Sequence, residues 1–208
     1  GYMFQNTTTI GGANRAGVRR INTDGTGDNT YLTRSGALDS TLIKSSIQPD
    51  GKILVMGDFA TIGGLARQRF GRLLSDGTVD EAFNPAVFNI AAFAAQPDGK
   101  VIVGGYRFTP NGTYPFYRLN LDGSIDPTFT AESTTPNGAN SNVKSLVIQP
   151  DGKVIAVGSF EEINGQPKKS LVRLMSNGAI DPTFTPNLTF TSAEINKVLL
   201  KPDGKIVI

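Results

Sequence analysis

One tetrapeptide, Pro-Asp-Gly-Lys, occurs four times in this chain, at Pro49 to Lys52, Pro97 to Lys100, Pro150 to Lys153 and Pro202 to Lys205. Its aspartates Asp50, Asp98, Asp151 and Asp203 are 48, 53 and 52 residues apart. A second block keeps step with it. Arg72, Leu73, Asp76, Gly77, Asp80 and Phe83 recur as Arg118, Leu119, Asp122, Gly123, Asp126 and Phe129, and again as Arg173, Leu174, Asn177, Gly178, Asp181 and Phe184. A fainter copy is Arg20, Ile21, Asp24, Gly25, Asp28 and Tyr31. Four copies of both blocks in 208 residues set a period of about 52. A period of that length means one supersecondary unit written repeatedly, each copy burying its apolar sides against its neighbours.

Each unit reads as strands. Apolar segments lie on both sides of the Pro-Asp-Gly turn, as Val143 to Ile148 and Val154 to Val157 do in the fourth copy. Three residues of this kind between two β-rich runs are a hairpin loop. Proline presets φ, aspartate completes a type I turn, and glycine takes the left-handed position. Asp50, Gly51, Asp98, Gly99, Asp151, Gly152, Asp203 and Gly204 are therefore the expected turn residues. A third strand, 69–74 or 170–175, ends at a second turn, Asp76-Gly77 or Asn177-Gly178, and a short fourth segment follows. The strands after the first turn are apolar on consecutive residues, as in Ile53, Leu54, Val55 and Met56, so both of their faces must be covered. Small antiparallel sheets stacked face to face around an axis make a β-propeller. The alternative is a linear stack of the same meanders, a β-solenoid.

Composition narrows the chemistry. Cysteine, histidine and tryptophan are absent, which removes disulfides, thiolate metal sites and any nucleophile activated by imidazole. Glycine, 24 of 208 residues, is about 12% against a usual ~7%, the profile of a turn-rich β protein. A net charge of +2 with no basic run gives no reason to expect nucleic acid as a partner. No run of 18 or more apolar residues is present, so no membrane-inserted helix is expected. A chain beginning at Gly1 reads as a processed product or an excerpt.

The stretch Ile47, Gln48, Pro49, Asp50, Gly51, Lys52, Ile53, Leu54, Val55, Met56, Gly57, Asp58, Phe59, followed by Ile62-Gly63-Gly64, Arg72-Leu73 and Asp76-Gly77, resembles the delta-60 repeat. That family of propeller-like repeats occurs mainly in large bacterial surface or secreted proteins. The resemblance covers essentially the whole chain in four copies. It implies a propeller architecture and an extracellular setting, and carries over no enzymatic activity. The third copy departs from it with Pro110, Asn111 and Gly112 in place of Ile-Gly-Gly, and the first with Tyr31 for phenylalanine and an insertion over 34–40.

Several constellations invite a functional reading. The paired acids Asp76 with Asp80, Asp122 with Asp126 and Asp24 with Asp28 could offer oxygens to Ca²⁺. Asn177 at the first position fits an Asx-turn at least as well. Arg20, Arg72, Arg118 and Arg173 could line an anion site, or each could pair with an aspartate of its own or the adjacent copy. The lysines after Pro-Asp-Gly read as hairpin residues. Tyr2, Tyr106, Tyr114, Phe116 and Tyr117 offer aromatic surface for a glycan, or strand and core packing. A glycosidase needs two nonrepeated acids, and Glu132, Glu161, Glu162 and Glu194 are available without any two being grouped. The connecting segments 32–42, 131–142 and 186–193 escape the repeat and read as polar loops, where recognition concentrates on a rigid scaffold.

These observations predict an all-β propeller of four meander repeats in a single domain over 1–208, either a closed small ring or part of a larger propeller. The first blade is split between 1–31 and 195–208; the others span 43–83, 91–129 and 143–184. The C-terminal hairpin 194–208 is expected to pair with the N-terminal segment, with further repeats of a longer chain, or with another subunit. The expected role is a non-enzymatic scaffold for protein or glycan partners in a surface, secreted or virion-associated protein, with no catalytic, metal-binding or cofactor-binding residue assigned. The alternative is a glycan hydrolase or lyase acting from one face.

Overall fold

A computed structural model describes residues 8–10, 13–15, 18, 20–28, 30–31, 42–85, 90–105, 114–134, 142–187 and 194–208. Every regular element in these residues is a strand, and every pairing is antiparallel. The chain divides into two compact units, Gly1–Phe88 with Leu121–Ser124, and Asn89–Asn120 with Ile125–Ile208. It has the β-propeller fold, built of repeated antiparallel meanders.

The second copy shows the pattern. A first strand, Leu42–Ile47, pairs with a middle strand, Ile53–Gly57, which pairs with a third, Phe70–Leu73. The fourth copy repeats it with Val143–Ile148, Val154–Gly158 and Leu171–Leu174. The weak fourth segment is a single bridge in each case, Leu73 to Val79 and Leu174 to Ile180, with Leu119 to Ile125 and Ile21 to Gly27 matching. The first turn is set by chemistry within the loop. Gly51 sits at φ 81° and donates its N–H to the Gln48 carbonyl at 2.9 Å, while the Asp50 carboxylate accepts the Lys52 N–H at 3.1 Å. Gly99, Gly152 and Gly204 have φ of 85°, 81° and 80°, a region open to glycine at little cost.

The consecutive apolar residues of the middle strands serve two cores by period-2 alternation. In the fourth copy Val154 and Ala156 join the cluster containing Ala92, Ile102 and Phe116 of the third copy. Ile155 and Val157 point the other way and pack with Leu171, Ile195 and Val198, with Ile206 of the C-terminal hairpin against them. In the first unit, Val55 and Leu73 form a cluster with Phe59 and Ile62.

Two features depart from the sequence reading. The loop expected over 131–142 begins as a strand, Ala131–Thr134, which pairs with Tyr114–Leu119 on one side and Glu162–Ile163 on the other. A six-stranded sheet thereby joins elements of the third and fourth copies. Ala131 is buried in the core rather than free of it, because an alanine leading a β-capable run satisfies its backbone by pairing. Small hairpins also form around Gly63-Gly64 and Asn164-Gly165, the dipeptides that type I′ turns favour. Expectations concerning Tyr2, Tyr106, 32–41, 135–141 and 188–193 fall outside the described residues.

Candidate functional site

The recurring charged residues converge on one construction in each copy. Arg72 donates Nε–H to Asp80 Oδ2 at 2.9 Å, Arg118 to Asp126 at 2.9 Å, Arg173 to Asp181 at 2.8 Å and Arg20 to Asp28 at 2.7 Å. The arginine lies at the end of the third strand and the aspartate follows the turn, so the bridge in between holds the pair across the reversal. The guanidinium also sits over the copy's last aromatic ring, at 4.3 Å from the Phe83 centroid, 5.4 Å from Phe129, 4.7 Å from Phe184 and 5.1 Å from Tyr31. Cation–π attraction and stacking favour arginine there over lysine.

Lysine from the first turn completes the clasp. Lys52, Lys100 and Lys153 Nζ lie 3.2, 2.7 and 3.2 Å from the carboxylates of Asp80, Asp126 and Asp181. The other carboxylate oxygen accepts from a threonine two residues on, its N–H and hydroxyl both reaching Oδ1 in Asp28-Thr30, Asp126-Thr128 and Asp181-Thr183. These donors hold the acids ionised. Thr30 and then Arg20 bring Asp28 down to about 2. Lys100 and Thr128 lower Asp126, and Thr183 and Lys153 lower Asp181. Asp80 lacks the threonine; burial pushes it up, but Lys52 and Arg72 more than offset this and leave it lowered.

The first aspartate of each pair does something else. Asp76 Oδ1 accepts the Thr78 N–H at 2.9 Å, Asp122 the Ser124 N–H at 2.9 Å, Asp24 the Thr26 N–H at 2.9 Å, and Asn177 the Ala179 N–H at 3.0 Å. These are Asx-turns, which is why asparagine substitutes. Among the described residues no group of three or more acidic, histidine or cysteine side chains could hold a metal.

The clasp then reaches the neighbouring turn. Within the first unit Arg20 donates to the Ser75 carbonyl at 2.9 Å and Arg72 to the Leu121 carbonyl at 2.6 Å; within the second, Arg118 donates to Ser176 at 2.6 Å. The acceptor is always the residue before the Asx-Gly pair. A parallel backbone bond runs from the residue after the aromatic, Asn84 N–H to the Asp122 carbonyl and Thr130 N–H to Asn177. The turn glycine fits against that backbone so closely that a Cβ on Gly123 would lie 2.8 Å from Pro85 N, and one on Gly178 2.5 Å from Thr130 O. The fourth copy presents the same groups around a cavity of about 510 Å³, lined by Arg173, Ile180, Asp181, Phe184, Thr185 and Pro186 among others.

The sequence left each arginine to pair with an aspartate of its own or the adjacent copy, and the structure shows the own copy; it assigned the lysines only to hairpins and so missed their part in the clasp. Their signal was co-occurrence: Lys52, Lys100 and Lys153 each share a copy with an Arg and Asp block. Phe116 is core, 2% exposed. Of the nonrepeated acids, Glu194 pairs with Lys144, and the Glu161 carbonyl accepts the Lys168 N–H in a loop.

A family model described as "Domain of unknown function (DUF5122) beta-propeller" matches residues 6–31, 48–83, 96–129 and 149–184. No curated protein matches the chain. Among solved structures, one described as a "putative gluconolactonase" is similar over 78% of this chain at 16% identity, with a TM-score of 0.45. The chain spans about half the length of that protein, 52%.

Proposed function

Because this chain belongs to the DUF5122 β-propeller family, we propose that it is a non-enzymatic repeat scaffold, a rigid stack of blades that presents surfaces to protein or glycan partners. The observation that carries this reading is the fate of the repeated ionisable groups: Asp80, Asp126 and Asp181 are each saturated by arginine, lysine or threonine donors from their own copy. A carboxylate held ionised and fully hydrogen-bonded is poorly placed to move a proton, since a general acid or base works best with a pKa near the working pH. The finer likeness to delta-60 repeats supports a surface or secreted setting, and a virion-associated protein is the third setting proposed for such a scaffold. Blades spanning 43–83, 91–129 and 143–184 fit the clasp in each copy.

The test pairs binding with turnover. The chain is presented to an array of glycans and extracellular proteins, and incubated with oligosaccharides and sugar lactones. Saturable binding without turnover is the expected result. Turnover abolished by Glu161→Gln or Glu194→Gln would overturn the reading in favour of a hydrolase or lyase.

A further inference from the structure

Three residues that the repeat does not explain meet inside the second unit. Counted along the period, Lys144 falls where the second and third copies have Ile43 and Ala91, and Asn196 is the next occupant of that position. Glu194 follows Thr41, Asn89 and Asn142 in the same way. Lys144 Nζ donates to Asn196 Oδ1 at 3.0 Å and is ion-paired with Glu194 Oε1. An amide carbonyl bond is about 1.2 Å long, so the amine nitrogen stands no more than about 4.2 Å from Asn196 Cγ, close to the separation of a reacting pair. Two backbone features fix the approach. The register of Val143–Ile148 against Val154–Gly158 slips between Val143 and Ser145, which puts Lys144 in a bulge, a device that re-aims a side chain. On the other side the buried Ile195 donates its N–H to the Gly158 carbonyl at 3.1 Å, anchoring the residue between Glu194 and Asn196. An amine, a carboxylate and a carboxamide in contact are the parts of an acyl transfer.

We infer that Lys144 and Asn196 join as an isopeptide, a covalent staple from the first strand of the fourth copy to the segment leading into the last hairpin, with Glu194 carrying the protons. Glu194 takes a proton from the Lys144 ammonium within the ion pair. The amine lone pair attacks Asn196 Cγ and pushes the carbonyl electrons onto Oδ1; they return as the Cγ–Nδ2 bond breaks. Glu194 hands its proton to Nδ2, which leaves as ammonia. One amide replaces another, so nothing is oxidised or reduced and no co-reactant is needed. The Lys144 side chain is 25% exposed and that of Glu194 51%, so water reaches the pair and the bond accumulates with time rather than at once. The staple goes beyond the scaffold reading and depends on no partner.

Intact-mass measurement of the chain after prolonged incubation at physiological temperature, followed by proteolytic mapping, decides it. The expected result is a species lighter by one ammonia, whose map contains a branched peptide joining the Lys144 and Asn196 fragments. Lys144→Arg keeps a cation beside Glu194 but offers a guanidinium that stays charged and does not attack. Glu194→Gln removes the proton carrier. Both variants are expected to keep the fold by circular dichroism and to hold their full mass. A chain that keeps its full mass overturns the inference. So does ammonia loss that survives Lys144→Arg, which would mean a ring closed on Asn196 itself, or a branched peptide whose yield is unchanged by Glu194→Gln. The readout is mass, so it is separate from the binding and turnover that test the scaffold reading.

Discussion

At the residue scale the clasp is the unit of stabilisation. Arg72 and Asp80 are the most buried pair, with side chains 4% and 6% exposed. Removing one partner leaves an uncompensated buried charge, so Asp80→Ala is expected to cost about 3 kcal/mol in urea unfolding. The second copy also offers a gain. It has Ala82 where the others place Thr30, Thr128 and Thr183, and Ala82→Thr would restore two donors to Asp80 Oδ1. About 1 kcal/mol of added stability is expected, seen as a melting temperature higher by about 2–4 °C. The Arg and Asp pairing was legible in the sequence because both recur in step. The threonine was legible only in hindsight, since a residue that helps three copies of four looks like drift.

At the element scale the turns divide into free and seated. Gly25 and Gly178 have similar φ, 84° and 90°, so alanine at either costs about 1–2 kcal/mol from the left-handed conformation. Only Gly178 lies against backbone, where a Cβ would stand 2.5 Å from Thr130 O, which adds about 1–3 kcal/mol of overpacking. Chemical denaturation of Gly178→Ala and Gly25→Ala should therefore differ by that margin; equal losses would mean that the Asx-Gly turn is not seated on the preceding copy. The Pro-Asp-Gly hairpins were readable because their three residues dictate a local conformation. The strand Ala131–Thr134 was not, because its partners Tyr114–Phe116 and Glu162–Ile163 lie far away in sequence and its own residues are mostly polar. Pairing with distant strands decided it.

At the scale of the whole molecule the clasps predict acid sensitivity with a definite sign. Asp28 has a folded value of about 2 against an ordinary 3.8, so its contribution is fully present above pH 3.8 and is lost as the pH falls through about 2. Asp80, Asp126 and Asp181 are shifted the same way. Unfolding free energy measured in urea should be flat from about pH 7 to pH 5 and fall between about pH 4 and pH 2, and Asp126→Asn should flatten part of that fall. From the sequence alone came the period, the turn types, the all-β class and the two-sided burial of the middle strands, because each follows from the residues within one copy. What lies between copies came only from the tertiary structure: the reach of Arg20, Arg72 and Arg118 to the next turn, the seating of Gly123 and Gly178, and the cavity at Arg173. A repeat specifies its own hydrogen bonds locally, but which of its faces is covered depends on which copy stands next to it.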